Sequence, residues 1–188
     1  MSALFMTRLV ITRLATTRLA ITRLGIPRLA LSCLLGLGTL GAACIASADT
    51  FVDQLAVANA AEIQASQVAL SKASFDDTRN LARRLIDNHT TLAQQLAALT
   101  AQLNISLPDD ATVQAQAAKL QTLPAKGQSF DTSYATAQVK AHEGAVKLFE
   151  DEAQNATVSE LKAFAEANLP MMKKHLQMAQ RLLKTHRK

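Results

Sequence analysis

The feature that most constrains the fold is the spacing of the apolar residues, which recur three and four positions apart through four long runs after residue 48. This spacing places them on one face of an α-helix. The runs cover residues 49–71, 74–103, 130–154 and 157–183, and residues 111–123 form a shorter helical candidate. The clearest stripe lies in the second run and consists of Leu81, Leu85, His89, Leu92, Leu96, Leu99 and Leu103.

No segment after residue 48 alternates apolar and polar residues between turn signals, so no sheet is expected. Four long helices with two short connections and one longer one predict an all-α, up-down-up-down four-helix bundle, with a short extra helix between the second and third. Ser74 is expected to cap the second helix. The Thr-Val-Ser-Glu sequence at 157–160 indicates a capping box for the fourth. Pro170 is expected to kink that helix rather than end it, because the pattern resumes at Met171.

The first 48 residues have the three zones of a secretory signal: a basic stretch ending at Arg28, an apolar run over 29–43 and the small-residue site Ala46-Ser47-Ala48. Cleavage after Ala48 is expected, which leaves a domain of residues 49–188 in the periplasm or associated with the outer membrane. A lipoprotein processed at Cys44 is the alternative. A Thr-Arg-Leu unit recurs every five residues in this leader and favours a tandem expansion or a start site placed too far upstream.

The excess of positive charge lies in the same 48 residues. The net charge is +5, yet all 15 acidic residues and 15 of the 20 basic ones lie after residue 48, so the mature part is formally neutral. With one Tyr and no Trp, it gives no support for nucleic-acid binding. Cys33 and Cys44 both lie in the leader, so the mature domain has no disulfide. No nucleophile–base arrangement or glycine-rich phosphate loop favours an enzyme.

Three histidines form the sharpest candidate site, because His89, His142 and His175 each lie on the apolar stripe of a different predicted helix. Counting from the helix ends predicts that His89 and His142 are level, about 21 and 18 Å along their axes, whereas Glu62 and His175 differ by about 13 Å. The favoured interpretation is a structural layer in which these histidines bond Glu62 or the core residue Tyr134. The alternative is a divalent transition-metal site formed by Glu62, His89, His142 and His175.

Other features of the third and fourth helices allow further interpretations. Gly144 in a helix interior indicates either a close helix approach or room for something else. Met171, His175 and Met178 fall at i, i+4 and i+7, which is an alternative soft-metal face suited to Cu(I), although Met at this spacing is usually core filler. The segment from Lys173 onward carries six cations and no acid. It could contact an anionic envelope or membrane surface, or only complement the helix dipole.

Several short patterns are spread over the mature chain: Glu62 in an Ala-rich first helix, Asp87-Asn88-His89-Thr90, Leu107-Pro108, Phe130-Asp131-x-x-Tyr134, Ala141-His142-Glu143 and Leu169-Pro170-x-x-x-x-His175-Leu176. Together they resemble the bacterial domain-of-unknown-function family 4142. The resemblance covers roughly Thr50 to Leu183. It implies an exported, ferritin-like four-helix bundle, and it implies no established activity.

A ferritin-like di-iron site needs a Glu-x-x-His sequence on each of two helices. Here Ile86, Val139 and Met172 stand three residues before the three histidines, so oxygen-activating di-iron chemistry is not expected. The sequence therefore predicts an exported periplasmic or envelope-associated bundle, with a stress-related role as a further expectation and no cofactor. Metal binding or metal handling through the histidines is the alternative.

Overall fold

The computed structural model describes residues 39–120 and 128–187, with side chains described from Thr50 onward. Five helices cover most of these residues: α1 (Thr39–Lys72), α2 (Asp76–Leu103), α3 (Asp110–Lys119), α4 (Phe130–Asn155) and α5 (Ser159–His186). These two ranges contain no strand, which confirms the all-α prediction. Most of the predicted leader lies outside the described residues, and α1 runs through the predicted cleavage site at Ala48.

Contacts at the α1–α2 turn define the directions of the four long helices. The Asp131 carboxylate, at the start of α4, accepts hydrogen bonds from the backbone N–H groups of Ser74 (3.0 Å) and Phe75 (3.2 Å). The carbonyl of His186, at the end of α5, accepts a bond of 2.8 Å from the Thr132 hydroxyl. The start of α4 and the end of α5 therefore lie at this turn, which we call the turn end of the bundle.

It follows that α1 and α5 run toward the turn end, whereas α2 and α4 both run away from it. The long helices form a ring in which α1 packs against α2 and α4, and α5 packs against α4 and α2. The predicted up-down-up-down order is wrong, because α4 begins at the turn end and therefore runs parallel to α2. The α3 helix, in the connection over 104–129, packs on α1 and is shorter than the predicted segment 111–123.

Two apolar clusters occupy the two halves of the bundle. The half away from the turn end is built around Phe149, whose ring meets Phe51 edge-on at a centroid distance of 5.7 Å. The turn-end half contains Ala69, Leu81, Ala82, Leu85, Tyr134, Ala135 and Leu182. Buried polar side chains separate the two clusters near the middle of the helices. The apolar core is thus interrupted at the level of the three histidines.

The starts of α2 and α5 differ from the predicted caps. Residue Phe75 precedes α2 without a side-chain cap, and Asp131 from α4 binds the N–H groups of Ser74 and Phe75 instead. Burial alone would raise the pKa of Asp131, but hydrogen bonds, including those from the Ser74 and Phe75 backbone N–H groups, hold it below its usual value. At α5 the predicted capping box is not formed, because Val158 precedes the helix and the Ser159 hydroxyl donates to Glu160.

Two local predictions agree with the structure. Helix α5 continues through Pro170 instead of ending there, while the kink at Pro170 stays a prediction. Helix α2 ends at Leu103, and Asn104 adopts a left-handed φ of 55°, a conformation that Asn tolerates at the end of a helix. Across the described helices, no segment has both the length and the apolar character that a membrane span requires.

Candidate metal centre

The helix directions bring four polar residues to one level of the bundle. Counted from the turn end of their own helices, Glu62, His89, His142 and His175 lie between 10 and 13 residues in. At 1.5 Å per residue this is about 15 to 20 Å along each axis. The structure therefore brings Glu62 and His175 to the same height as the other two, unlike the height difference that the sequence predicts.

The three imidazole rings meet at the centre of this layer. Their centroids are 5.6 Å apart for His89 and His142, 5.4 Å for His89 and His175, and 5.2 Å for His142 and His175. One ring nitrogen from each histidine lies within 4.8 Å of the other two. All three side chains are almost completely buried, with exposures of 3%, 1% and 1%. Three potential ligand atoms from three helices thus converge on one point.

Each ring has one nitrogen in a hydrogen bond and one without a partner. The Nδ1 of His89 donates to the Asn59 side-chain oxygen (2.8 Å), and the Nδ1 of His142 donates to the Gln138 carbonyl (3.0 Å). The Nε2 of His175 lies 2.8 Å from the Asn88 amide nitrogen. The remaining nitrogens, Nε2 of His89 and His142 and Nδ1 of His175, have no hydrogen-bond partner. The predicted hydrogen-bonded layer with Glu62 or Tyr134 is therefore not formed.

Burial keeps these imidazoles neutral. Desolvation, together with the neighbouring His142 and His175, lowers the pKa of His89 to about 3. Desolvation and the neighbouring His142, Arg84 and Lys174 lower the pKa of His175 to about 4. Desolvation also lowers the pKa of His142, although its bond to Gln138 opposes this. Neutral imidazole is the form that coordinates metals, so the charge state of the three rings at neutral pH is the one that metal binding requires.

Glu62 lies beside the three histidines rather than among them. The group of converging ligand atoms consists of the histidines alone in the described part of the chain. Burial raises the pKa of Glu62 to about 7, while a side-chain hydrogen bond with Gln138 opposes the shift. Gln138 therefore contacts both Glu62 and the His142 ring, and Glu62 is linked to the cluster through it. The predicted core residue Tyr134 is buried and pairs with Ser66 at 2.9 Å.

A groove of about 620 Å³ between α1 and α4 reaches this layer from outside. Glu62, His89 and His142 line it, together with alanines from both helices. Gly144 also lines it, and a Cβ atom built there would meet no atom within 4 Å. The structure therefore does not bear out a close helix approach at Gly144, and the interpretation that the glycine leaves room for something else stays a prediction.

The remaining candidate residues lie apart from this centre. Met171 packs with the cluster around Phe149, whereas Met178 packs with the cluster at the turn end, so a copper site joining them to His175 stays a prediction. In the basic C-terminal segment, Lys173 pairs with Glu150 at 2.8 Å and His186 pairs with Asp77 at 3.0 Å. Its contact with an anionic surface also stays a prediction.

Comparison with known proteins assigns the family. The model of a domain of unknown function, DUF4142, matches residues 40–182. The chain belongs to the DUF4142 family. No curated protein and no solved structure matches it. The earlier resemblance is thereby confirmed for this DUF4142 chain, and the function has to be argued from the site itself.

Sequence reasoning missed the residues that orient the histidines in this DUF4142 domain. Asn59 and Asn88 bind two of the rings through their side chains, and Gln138 binds the third through its carbonyl. A weak signal was present, because Asn59 lies one turn before Glu62 and Gln138 one turn before His142. Such spacing places side chains on one helix face, but it does not identify the partner on another helix.

Proposed function

We propose that this DUF4142 domain binds a divalent transition-metal ion through His89, His142 and His175. The observation that carries the proposal is that one nitrogen of each buried ring is free while the other is held by a neighbouring group. Metal-binding histidines characteristically donate their second N–H to a neighbouring acceptor, which fixes the ring orientation, and His89 and His142 do so here. The support is therefore the convergence of the three rings and the orientation of two of them.

The donor set favours particular ions. Three imidazoles suit Zn, Cu, Ni and Fe rather than Mg or Ca, which prefer oxygen ligands. A tetrahedral ion with Zn–N bonds of about 2.0–2.1 Å requires ligand nitrogens about 3.4 Å apart. One nitrogen of each ring lies within 4.8 Å of one nitrogen of each other ring, so the widest of these pairs would close by at most about 1.4 Å on binding. Three protein ligands also leave a fourth position open, as in catalytic rather than structural zinc sites.

A purely structural role has less support. Three buried nitrogens without partners are unfavourable, since each unsatisfied buried polar atom costs about 1–3 kcal/mol. A hydrogen-bonded layer would remove that cost by pairing the rings with one another or with Glu62. Neither pairing occurs for the free nitrogens. Coordination of a metal satisfies all three atoms at once.

The test is a thermal melt of chelator-stripped protein with EDTA or with Zn(II). Because an ion that binds only the folded state stabilises it by about 2.7 kcal/mol at one hundred times its Kd, Zn(II) should raise the Tm by several degrees. His89→Ala, His142→Ala and His175→Ala should each lose this increment. His186→Ala is the matched control, because it removes the histidine outside the cluster, and it should keep the increment. Coincident EDTA and Zn(II) curves for the wild type would overturn the metal site.

We also propose that the domain is exported and has a ferritin-like bundle. Export is supported by the Ala46-Ser47-Ala48 site after a basic and an apolar stretch. The ferritin-like assignment is supported by the one long crossover over 104–129, a connection that bundles of this type share. The mass of the secreted protein tests this proposal, and the expected result is the mass of a chain that begins at Asp49. A lipid-modified chain beginning at Cys44 would contradict the cleavage site.

A further inference from the structure

The groove between α1 and α4 has the character of a ligand site. Its volume of about 620 Å³ lies within the range of small-molecule pockets. The lining runs along α1 from Asp53 to Val68, which corresponds to about 22 Å of helix. Glu62 and the histidine layer are near the middle of this length. A bound molecule could thus have a polar group at the histidines and an apolar body along the groove.

Most of the buried polar atoms that lack a protein partner belong to residues that line this groove. They are Asn59 Nδ2, Glu62 Oε2, His89 Nε2, Ser133 Oγ, Gln138 Oε1 and His142 Nε2. In the described part of the chain, Thr78 Oγ1 and His175 Nδ1 alone share this property outside the lining. Since buried polar groups are normally paired, this concentration indicates that the groove floor is built to meet another polar group.

The walls are largely apolar. Beside larger apolar residues such as Leu55, Val68 and Leu148, six alanines of α1 and α4 contribute to them: Ala58, Ala61, Ala65, Ala137, Ala141 and Ala145. These alanines leave space that larger residues would fill, and they have no polar atom to pair with a ligand. The walls therefore suit a hydrocarbon chain rather than a sugar or a nucleotide.

We propose that this groove binds a small aliphatic monocarboxylate, whose carboxylate occupies the open position on the metal and whose chain lies between the alanine walls. The inference rests on the proposed metal site and deepens it by naming the ligand class. Charge complementarity favours an anionic head group, because an ion on three neutral imidazoles brings two positive charges. The other charged residues of the lining are Asp53, Glu62 and Lys140, which together leave at least one of these positive charges for the ligand.

The experiment uses protein loaded with Co(II), whose visible absorption reports the coordination of the ion. Three probes separate the two parts of the ligand: octanoate has head and chain, acetate has the head alone, and octan-1-ol has a chain without a carboxylate. Octanoate should change the Co(II) spectrum and bind at least about 100-fold more tightly than acetate, because six more methylene groups are buried. Octan-1-ol should leave the spectrum unchanged.

A groove-filling substitution tests the position of the chain. Ala58→Phe places a ring one turn from Glu62 and should weaken octanoate binding at least about tenfold, while the Co(II) spectrum without octanoate is retained. Ala101→Phe is the matched control, because Ala101 is exposed on α2 and lies outside the groove, and it should bind octanoate like the wild type. If Ala58→Phe fails to fold, Ala65→Phe tests the same wall on the other side of Glu62.

The outcomes distinguish this inference from the metal site. A wild type that gives no Co(II) spectrum overturns the metal site and the carboxylate site together. A Co(II) spectrum that octanoate does not change overturns the carboxylate site alone. Equal affinities for acetate and octanoate, or octanoate binding that survives both groove substitutions, would likewise overturn the assignment of the chain to this groove.

Discussion

At the scale of single residues, the proton positions on the histidines decide whether the site can accept a metal. His89 and His142 each donate a hydrogen bond through Nδ1, so the proton of each neutral ring lies on Nδ1. The Nε2 of each ring then has a free lone pair. His175 differs, because the Asn88 amide nitrogen faces its Nε2 and can only donate. The inward Nδ1 of His175 then carries the proton. Rotating the Asn88 amide by 180° would reverse these roles and free a third lone pair.

Replacing Asn88 with Asp should therefore strengthen metal binding. A carboxylate only accepts hydrogen bonds, so Asn88→Asp would hold the proton on the outer nitrogen of His175 and leave Nδ1 as a ligand. We expect the Zn(II) affinity to rise about tenfold, because groups that hydrogen-bond a metal-ligating histidine typically change the metal affinity by about 10–100-fold. Competition with a chromophoric chelator measures it. The control is Asn80→Asp, which adds the same charge on an exposed position of α2; an equal rise there would contradict the explanation.

At the scale of helices, the sequence predicted the elements well and their directions poorly. The apolar spacing located all four long helices, because spacing within one helix is a local property. Whether α4 runs parallel or antiparallel to α2 depends on the path of 104–129, and the sequence of a connection does not specify how far it travels. The predicted height difference between Glu62 and His175 followed from the wrong direction. The three histidines were candidates because each ring lies on its own helix's apolar stripe, but the sequence did not predict that all three lie at one level and converge without Glu62.

Gly144 offers a prediction that concerns helix α4 alone. A glycine in a helix interior costs about 0.5–1 kcal/mol relative to alanine, because its backbone loses more freedom on folding. A Cβ atom at this position would meet nothing within 4 Å, so no steric cost offsets the gain. Gly144→Ala should therefore raise the free energy of unfolding of the metal-free protein by about 0.5–1 kcal/mol. Urea titration measures this change.

The reverse substitution on the same helix provides the control. Ala141 is also exposed and lies within α4, so Ala141→Gly should lower the free energy of unfolding by a similar amount. A loss of stability in Gly144→Ala would mean that the space beside this glycine closes in solution. A loss of stability would then contradict both the open groove beside Gly144 and the expectation that alanine stabilises α4 at this position.

At the scale of the whole molecule, the histidine layer couples folding to pH. The pKa values of about 3 for His89 and about 4 for His175 lie below the ordinary 6.5. Below pH 6.5 the unfolded chain therefore binds protons that the folded protein does not, and stability is lost as the pH falls. Glu62 acts in the opposite sense. Its pKa is raised from 4.5 to about 7, so the folded protein holds a proton that the unfolded chain releases, and stability is gained as the pH falls through this range.

The three histidines outweigh the one carboxyl, so the metal-free protein should lose stability between pH 6.5 and 4.5. Each proton of difference contributes about 1.4 kcal/mol per pH unit, and a net difference of one to two protons gives a slope of roughly 1–3 kcal/mol per pH unit. Urea unfolding in EDTA at several pH values measures it. His142→Asn should make the slope shallower by removing one titrating ring, whereas Glu62→Gln should make it steeper by removing the opposing group. A stability that is flat or rises toward acid pH in the wild type would show that the rings are protonated in the folded state, and a buried layer of neutral ligands would then be excluded.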